Sequence, residues 1–483
     1  EMCIRDRIGW CCMNFRLTKG NFLKTGAYIE GDSAVFTFAA EKEDECSIVL
    51  LDKSGNTACV IDIPAEYSTG SLYSVRVHGF CGNEYAYYFR INGKRCIDPY
   101  ATRIFGREKW NDKTRSDNDY EIACGIDSSD FDWKNDSFPE ITRDRMKLYK
   151  LHVRGFSMDT AGDKKHKGTF EAVSDRINYI KKLGFTSILL MPVYEFEEMT
   201  IPVKHDIPEY AKPKYSLKDE QSVHTENDKV NFWGYTSGNY FAVKASYASD
   251  ASDASNELRR LVERLHKNGM ECIVEMYFPD RTDHNLILDA LRYWVMSFHV
   301  DGFKLLGDRL PVTAIVQDAL LSRTKILYDG FDMSVVPQNR TYENLYIDKE
   351  EYQFAARMML NHINCNMYEL LNQQKKQGET VGFINYISSN NGFTLSDLFM
   401  YNDRHNEANG EKNADGPSWN FSNNYGCEGP SRKRFIREIR KLKWKDAMLL
   451  LFLAQGVPMI MAGDEICNSQ DGNNNACLLY TSP

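Results

Sequence analysis

The side chains able to do chemistry gather in short stretches that read as the ends of strands. Asp301-Gly302-Phe303-Lys304-Leu305-Leu306 opens on an acid and carries a lysine, and Asp308 follows two residues later. Ile326-Leu327-Tyr328-Asp329-Gly330-Phe331-Asp332 holds two more acids, Glu275-Met276-Tyr277-Phe278-Pro279-Asp280 another two, and Asn390-Asn391-Gly392-Phe393-Thr394-Leu395 starts with paired amides. Two carboxyl groups about 5–5.5 Å apart can serve as nucleophile and proton donor on a glycosidic bond. Amides can bind hydroxyl groups but bring no charge to a cationic transition state. Asp308 lies two residues past Leu306, about 6–7 Å further along if the strand stays extended. Asp308, Asp329 and Asp332 therefore read more simply as exposed loop carboxylates than as a working pair.

Other chemistries find little support. The 13 cysteines are scattered, no C-x-x-C pair occurs and no histidine stands at zinc-ligand spacing, so neither a metal centre nor a disulfide framework is expected. No cofactor is called for. A net charge of −9 argues against a nucleic-acid or anionic-membrane partner and leaves neutral polysaccharide or protein open. The longest apolar run, Ala447 to Gly463, is interrupted by Gln455, Gly456 and Pro458, which suits a buried helix followed by a strand better than a membrane span. Reduced thiols and the lack of a signal-peptide pattern give a cytoplasmic expectation. Residues 1–12 and 478–483 have no periodicity and are set aside as foreign to the protein.

The elements that must position these stretches fall into two kinds. Residues 14–110 carry short alternating segments (Ala34–Phe38, Ser47–Leu51, Tyr73–Val77, Tyr85–Phe89) with turn signals at Ser54-Gly55-Asn56 and Asn92-Gly93-Lys94, the pattern of a β-sandwich. A polar connector, 111–145, follows. From 146 to 477 strands alternate with amphipathic helices. Strands are expected at 147–153, 186–191, 270–278, 302–306, 325–328, 344–347, 383–388 and 457–461. Phe170, Val173, Ile177, Ile180 and Leu183 predict one helix face ended by Gly184, and Leu258, Leu261, Val262 and Leu265 another ended by Gly269. Eight strands with helices between them predict an α/β fold, a (β/α)8 TIM barrel, in preference to an open doubly wound sheet, because no glycine-rich phosphate loop follows the first strand.

Specific words stand at these strand ends. Tyr149-Lys150-Leu151-His152-Val153-Arg154-Gly155-Phe156, Leu190-Met191-Pro192-Val193-Tyr194-Glu195-Phe196, Phe232-Trp233-Gly234-Tyr235, His299-Val300-Asp301-Gly302-Phe303 and Gly392-Phe393-Thr394-Leu395 occur in that order. Gln455-Gly456-Val457-Pro458-Met459 and Gly472-Asn473-Asn474-Asn475-Ala476 close the series, and Asp98-Pro99-Tyr100-Ala101 ends the first module. Over about residues 14–477 the chain resembles the α-amylase superfamily (glycoside hydrolase family 13) in its glycogen debranching, isoamylase and pullulanase branch. The resemblance implies a glucan-binding module ahead of the barrel, a C-terminal β-domain after it, and an ancestral α-1,6-branched glucan substrate. Fold alone does not imply activity.

The resemblance also fixes where catalytic groups are expected. The nucleophile ends the word D-G-F-R-F-D, and here that position is Leu306, with Lys304 in place of the arginine that orients the nucleophile. The acid/base position of L-I-A-E-P-W-D is Asp329, one methylene short of glutamate. The histidine and third acid of H-D-G-F-T-L are Asn390 and Asn391, and the word D-V-V-x-N-H has lost its histidine and asparagine. Tyr235 matches the tyrosine that stacks on the central sugar, and Trp419 in the long seventh loop is a candidate glucan platform. The expectation is a catalytically inactive α-glucan-binding protein, contacting sugar through Tyr235, Lys304, Asn390, Asn391 and Trp419, and able to form a hetero-oligomer with an active debranching relative. The alternatives are an α-1,6-glucosidase with a rebuilt carboxylate set and a barrel scaffold for protein interaction.

Overall fold

The structure, a computed structural model, describes residues 15–80, 84–117, 122–158, 166–199, 230–331, 343–363, 366–376, 378, 380–409 and 412–476. The readings placed on residues 1–12, on 478–483 and on Asp332 lie outside those residues.

The alternating segments of the first module pair into two antiparallel sheets. One runs in the order Arg16–Lys19, Leu72–His78, Ser33–Ala39, Gly26–Glu30, and the other Arg103–Phe105, Ala123–Gly125, Ala86–Ile91, Cys46–Leu51, Thr57–Asp62. Alternate residues point inward, so Phe36, Phe38, Ile48, Leu50, Tyr73, Val75, Tyr87 and Phe89 share one core. The strand Ala123–Gly125 corrects the reading of 111–145 as connector alone. Three small residues are too short for a period-two signal, and Gly125 is needed because a Cβ there would lie 2.6 Å from the Phe105 ring.

Asn111 and Arg115 of that stretch bond to Glu198, past the C-terminal end of a strand of the second domain, whereas residues 127–141 strap the bottom of that domain. Asp127 pairs with Arg259 at 2.9 Å, and the Ile141 amide donates to Glu271 at 2.8 Å. Between them Asp136 holds two histidines, His266 at 2.9 Å and His299 at 2.7 Å.

The second domain closes as an eight-stranded parallel barrel: β1 (Leu148–Leu151), β2 (Ser187–Leu190), β3 (Glu271–Tyr277), β4 (Gly302–Leu306), β5 (Lys325–Leu327), β6 (Leu345–Asp348), β7 (Gly382–Asn385) and β8 (Val457–Met461). Each overlaps an expected strand. Helix α1 (Ala254–Lys267) buries Leu258, Leu261, Val262 and Leu265 as its periodicity predicts. Helix α2 (His284–Phe298) is capped by Asp283, whose carboxylate accepts from the Asn285 and Leu286 amides. Helix α3 (Glu350–Leu360) follows β6, and α4 (Arg434–Leu453) precedes β8.

The helix expected from Phe170 to Leu183 is instead two short ones, Phe170–Asp175 and Ile177–Lys182. The Arg176 amide donates to Val173 three residues back, which tightens the turn and breaks the helical phase. Leu183 is left 42% exposed while Phe170, Val173, Ile177 and Ile180 stay buried.

Inside the barrel the side chains form layers, because residues two apart on a strand face the same way. Ser187, Glu271 and Lys325 lie at the bottom, with Glu271 paired to Lys325. Leu148, Leu189, Ile273, Leu327, Tyr346 and Ile384 make an apolar cluster. One step further toward the C-terminal ends come Lys150, Glu275, Lys304 and Asp348, two residues beyond Leu148, Ile273, Gly302 and Tyr346 respectively. Apolar filling thus gives way to charge near the mouth, the end where barrels of this kind place their sites.

Candidate functional site

Four charged side chains form the floor of the mouth. Lys150 reaches Glu275 at 2.6 Å, with both side chains almost fully buried. Lys304 is paired with Asp348, again with both ends buried. Burial lowers the Lys150 ammonium from the ordinary lysine range, and Glu275 offsets this only in part. Burial pulls Lys304 the same way, but Asp348 and then Glu275 outweigh it and raise that ammonium above the lysine range. The two cations and two anions balance, so the floor is neutral.

Amide and phenol groups complete it. Tyr235 donates its hydroxyl to Glu275 at 2.6 Å. Lys150 donates to the Asn390 amide oxygen at 2.7 Å, and the Asn390 amide nitrogen donates to the Tyr235 hydroxyl at 3.3 Å. Strands β1 and β3, the loop before Gly238 and the loop after β7 therefore meet on a single polar cluster, with Tyr235 half-buried against Trp233 and Tyr277.

The expected catalytic positions stand around this floor. Leu306 follows Lys304 by two residues and faces the same side, half-buried at the mouth. Its apolar side chain can neither attack an anomeric carbon nor stabilise positive charge there. The next residue, Gly307, turns the chain at φ +131°, where a Cβ would lie 2.0 Å from the Phe278 carbonyl oxygen. Asp329 lies just past β5, open to solvent, and accepts the Asp348 backbone amide at 3.0 Å. Although the residue reaches solvent, the protein packed around its carboxyl partly desolvates it, and this, and after it the Asp348 carboxylate, hold the carboxyl above the usual carboxylate range, with Lys304 pulling the other way. Asp308 is exposed.

The structure gathers Tyr235 and Asn390 into one network and sets Lys304 beside it, paired with Asp348. It leaves Asn391 apart: that residue is exposed, and its carbonyl oxygen accepts from Ser389 at 3.0 Å. Trp419 is separate again, 47% exposed, with its ring edge-on to Phe354 of α3 at 4.8 Å. Three floor residues had no assigned role in the sequence reading: Lys150, Glu275 and Asp348. Their signal was a charged residue in an otherwise apolar strand, at the parity of the lumen-facing positions. Among the described residues no group of three His, Cys, Asp or Glu side chains is arranged to hold a metal ion.

Comparison with known proteins agrees with this architecture. Residues 158–284 match the alpha-amylase catalytic-domain family. The chain is 27% identical to isoamylase 1 of Arabidopsis thaliana over 84% of its own length, and spans 61% of that relative. It is 26% identical to the glycogen debranching enzyme of Enterobacter sp. (strain 638), with 95% of this chain and 80% of the relative covered. Among solved structures, the pullulanase of Paenibacillus barengoltzii in complex with maltohexaose and alpha-cyclodextrin superposes with a TM-score of 0.66 at 16% identity, covering 95% of this chain and 76% of that one. The catalytic module of the glycogen-degrading pneumococcal virulence factor SpuA gives 0.62 at 20% identity, covering 93% and 70%. At such identities these structures establish the fold, the (β/α)8 barrel preceded by a β-rich module.

Proposed function

We propose that the chain, which matches the alpha-amylase catalytic-domain family over residues 158–284 and resembles isoamylases and glycogen debranching enzymes, works in α-glucan metabolism as a sugar-binding barrel that does not hydrolyse. The observation that carries this reading is Leu306, an apolar side chain at the mouth of β4 where the covalent nucleophile is expected. The floor supports it. Glu275 and Asp348 are carboxylates of the floor, where Glu275 stands level in the parallel register with Lys304, two residues below the mouth position of Leu306. Both are held by lysines, which favours a structural charge lattice over free catalytic acids. Tyr235 and Asn390 supply hydroxyl and amide groups suited to sugar hydroxyls, and Trp419 supplies a flat ring. In this reading the protein acts in the cytoplasm, on glycogen-like polymer or beside an active debranching relative in a hetero-oligomer.

One observation favours a second reading, a hydrolase with a rebuilt carboxylate set. Asp329, at the mouth beside Asp348, has its carboxyl raised by partial desolvation and by the Asp348 charge, and a raised carboxyl is what a proton donor needs. Assay of pullulan and glycogen for new reducing ends separates the two. Retardation of the protein in a glycogen-containing native gel, with no reducing ends released, is the expected result. Release of reducing ends that disappears in Asp329→Asn supports the hydrolase instead. Absence of both effects, with a protein partner co-purifying, leaves the barrel as an interaction scaffold.

A further inference from the structure

Helix α3 carries a buried guanidinium that the floor does not use. Arg357 is only 2% exposed, and none of the ion pairs among the described residues includes it. Its Nε donates to the Ile387 carbonyl at 2.6 Å, and one terminal nitrogen donates to the Asn420 carbonyl at 3.4 Å. The other terminal nitrogen is buried without a partner. The fork lies beneath the loop after β7, since a Cβ on Gly392 would meet both terminal nitrogens at 3.8 Å.

Burying a charge with no carboxylate in direct ion-pair contact is costly, even with the Asp464 charge acting from further off, and an apolar side chain of similar volume fills a core at less expense. What an arginine adds is a rigid planar set of donors that can reach two backbones at once. The two backbones here are significant. Ile387 is three residues before Asn390, which sits on the floor, and Asn420 adjoins Trp419, the exposed ring. The same helix holds both loops at other points: Gln353 donates to Ile387 at 3.3 Å, and Phe354 packs edge-on against Trp419. Just past its end, Asn361 donates to Phe421 at 2.7 Å.

We infer that Arg357 is a positioning residue for sugar binding, which fixes the polar floor at Asn390 and the aromatic platform at Trp419 so that one glucan chain engages both. The inference rests on the glucan-binding reading above and adds to it a length requirement. An oligosaccharide long enough to span floor and platform gains affinity over a short one, and the gain depends on the brace between the loops.

The test is a titration of the whole chain with maltotriose and with maltoheptaose, followed by tryptophan fluorescence, for the unaltered protein and for Arg357→Lys and Trp419→Ala. The unaltered protein is expected to bind maltoheptaose more tightly. Both variants are expected to lose about tenfold in maltoheptaose affinity, the worth of one charge-assisted hydrogen bond, and little for maltotriose. A general loss of structure would weaken both ligands alike, so the split between the two lengths reports positioning. Phe354→Leu, which keeps the guanidinium and removes the ring edge against Trp419, is a second variant with the same expected loss. If Arg357→Lys and Phe354→Leu keep the full gain with length, the positioning role is wrong while glucan binding stands. If the unaltered protein binds neither oligosaccharide, the glucan-binding reading falls and this inference with it.

Discussion

Replacing Lys304 by methionine tests whether the floor is a structural lattice. Lys304 and Asp348 are each about nine-tenths buried, so water screens their attraction little. The other oxygen of Asp348 is buried without a partner, so the variant leaves that carboxylate with no side-chain donor among the described residues. Breaking a buried ion pair from one side costs roughly 3–5 kcal/mol. Replacing both members by apolar residues of similar volume removes the stranded charge, so Lys304→Met with Asp348→Leu is expected to recover most of that loss. Urea unfolding followed by tryptophan fluorescence measures this mainly in the barrel, because the six tryptophans among the described residues, Trp110, Trp133, Trp233, Trp294, Trp419 and Trp444, all lie outside the sandwich core. A cost below about 1 kcal/mol for the single variant, or a double variant no more stable than the single, would refute the lattice argument.

Three further outcomes are expected. Leu306→Asp, tested on pullulan, restores a carboxylate at the mouth but is expected to release no reducing ends, since Asn391 still brings no charge and Asp329 is short by a methylene; measurable hydrolysis would mean that the remaining groups are competent. His266 is raised in the folded protein: burial pulls it down, but its bonds to Asp301 and Asp136 and their charges prevail. A raised histidine contributes stability that is complete below its unfolded value, about 6.5, and is lost as pH rises through the folded value. Thermal stability should therefore fall across that alkaline window, and His266→Gln should abolish the fall. Gly307→Ala should be strongly destabilising, by more than the roughly 1–3 kcal/mol of a disfavoured backbone conformation, because the added Cβ also meets the Phe278 carbonyl; thermal unfolding measures it.

Much of this architecture was legible along the chain because its signals are local. Alternation over Leu72–His78 and the apolar spacing of Leu258, Leu261, Val262 and Leu265 are each written within a dozen residues, and short-range sterics and burial turn them into strand and helix. The leucine at 306 and the amides at 390 and 391 needed only an ordered series of words to locate them. Where local signals were weak the reading slipped. Ala123–Gly125 is too short to show a period, and a single i−3 hydrogen bond at Arg176 was enough to turn Leu183 outward.

The sequence by itself thus determined the eight barrel strands and which way their side chains alternate, and it carries the proposal that a leucine, Leu306, stands at the nucleophile position. Only the closed barrel decided the pairings: Lys150 with Glu275, Lys304 with Asp348, Asn390 with Tyr235, and Arg357 with the carbonyls of two separate loops. The reason is physical. Each partner is far from the other in the chain, and a charge seeks whichever opposite group closure brings within a few ångströms of it in a place that water has left.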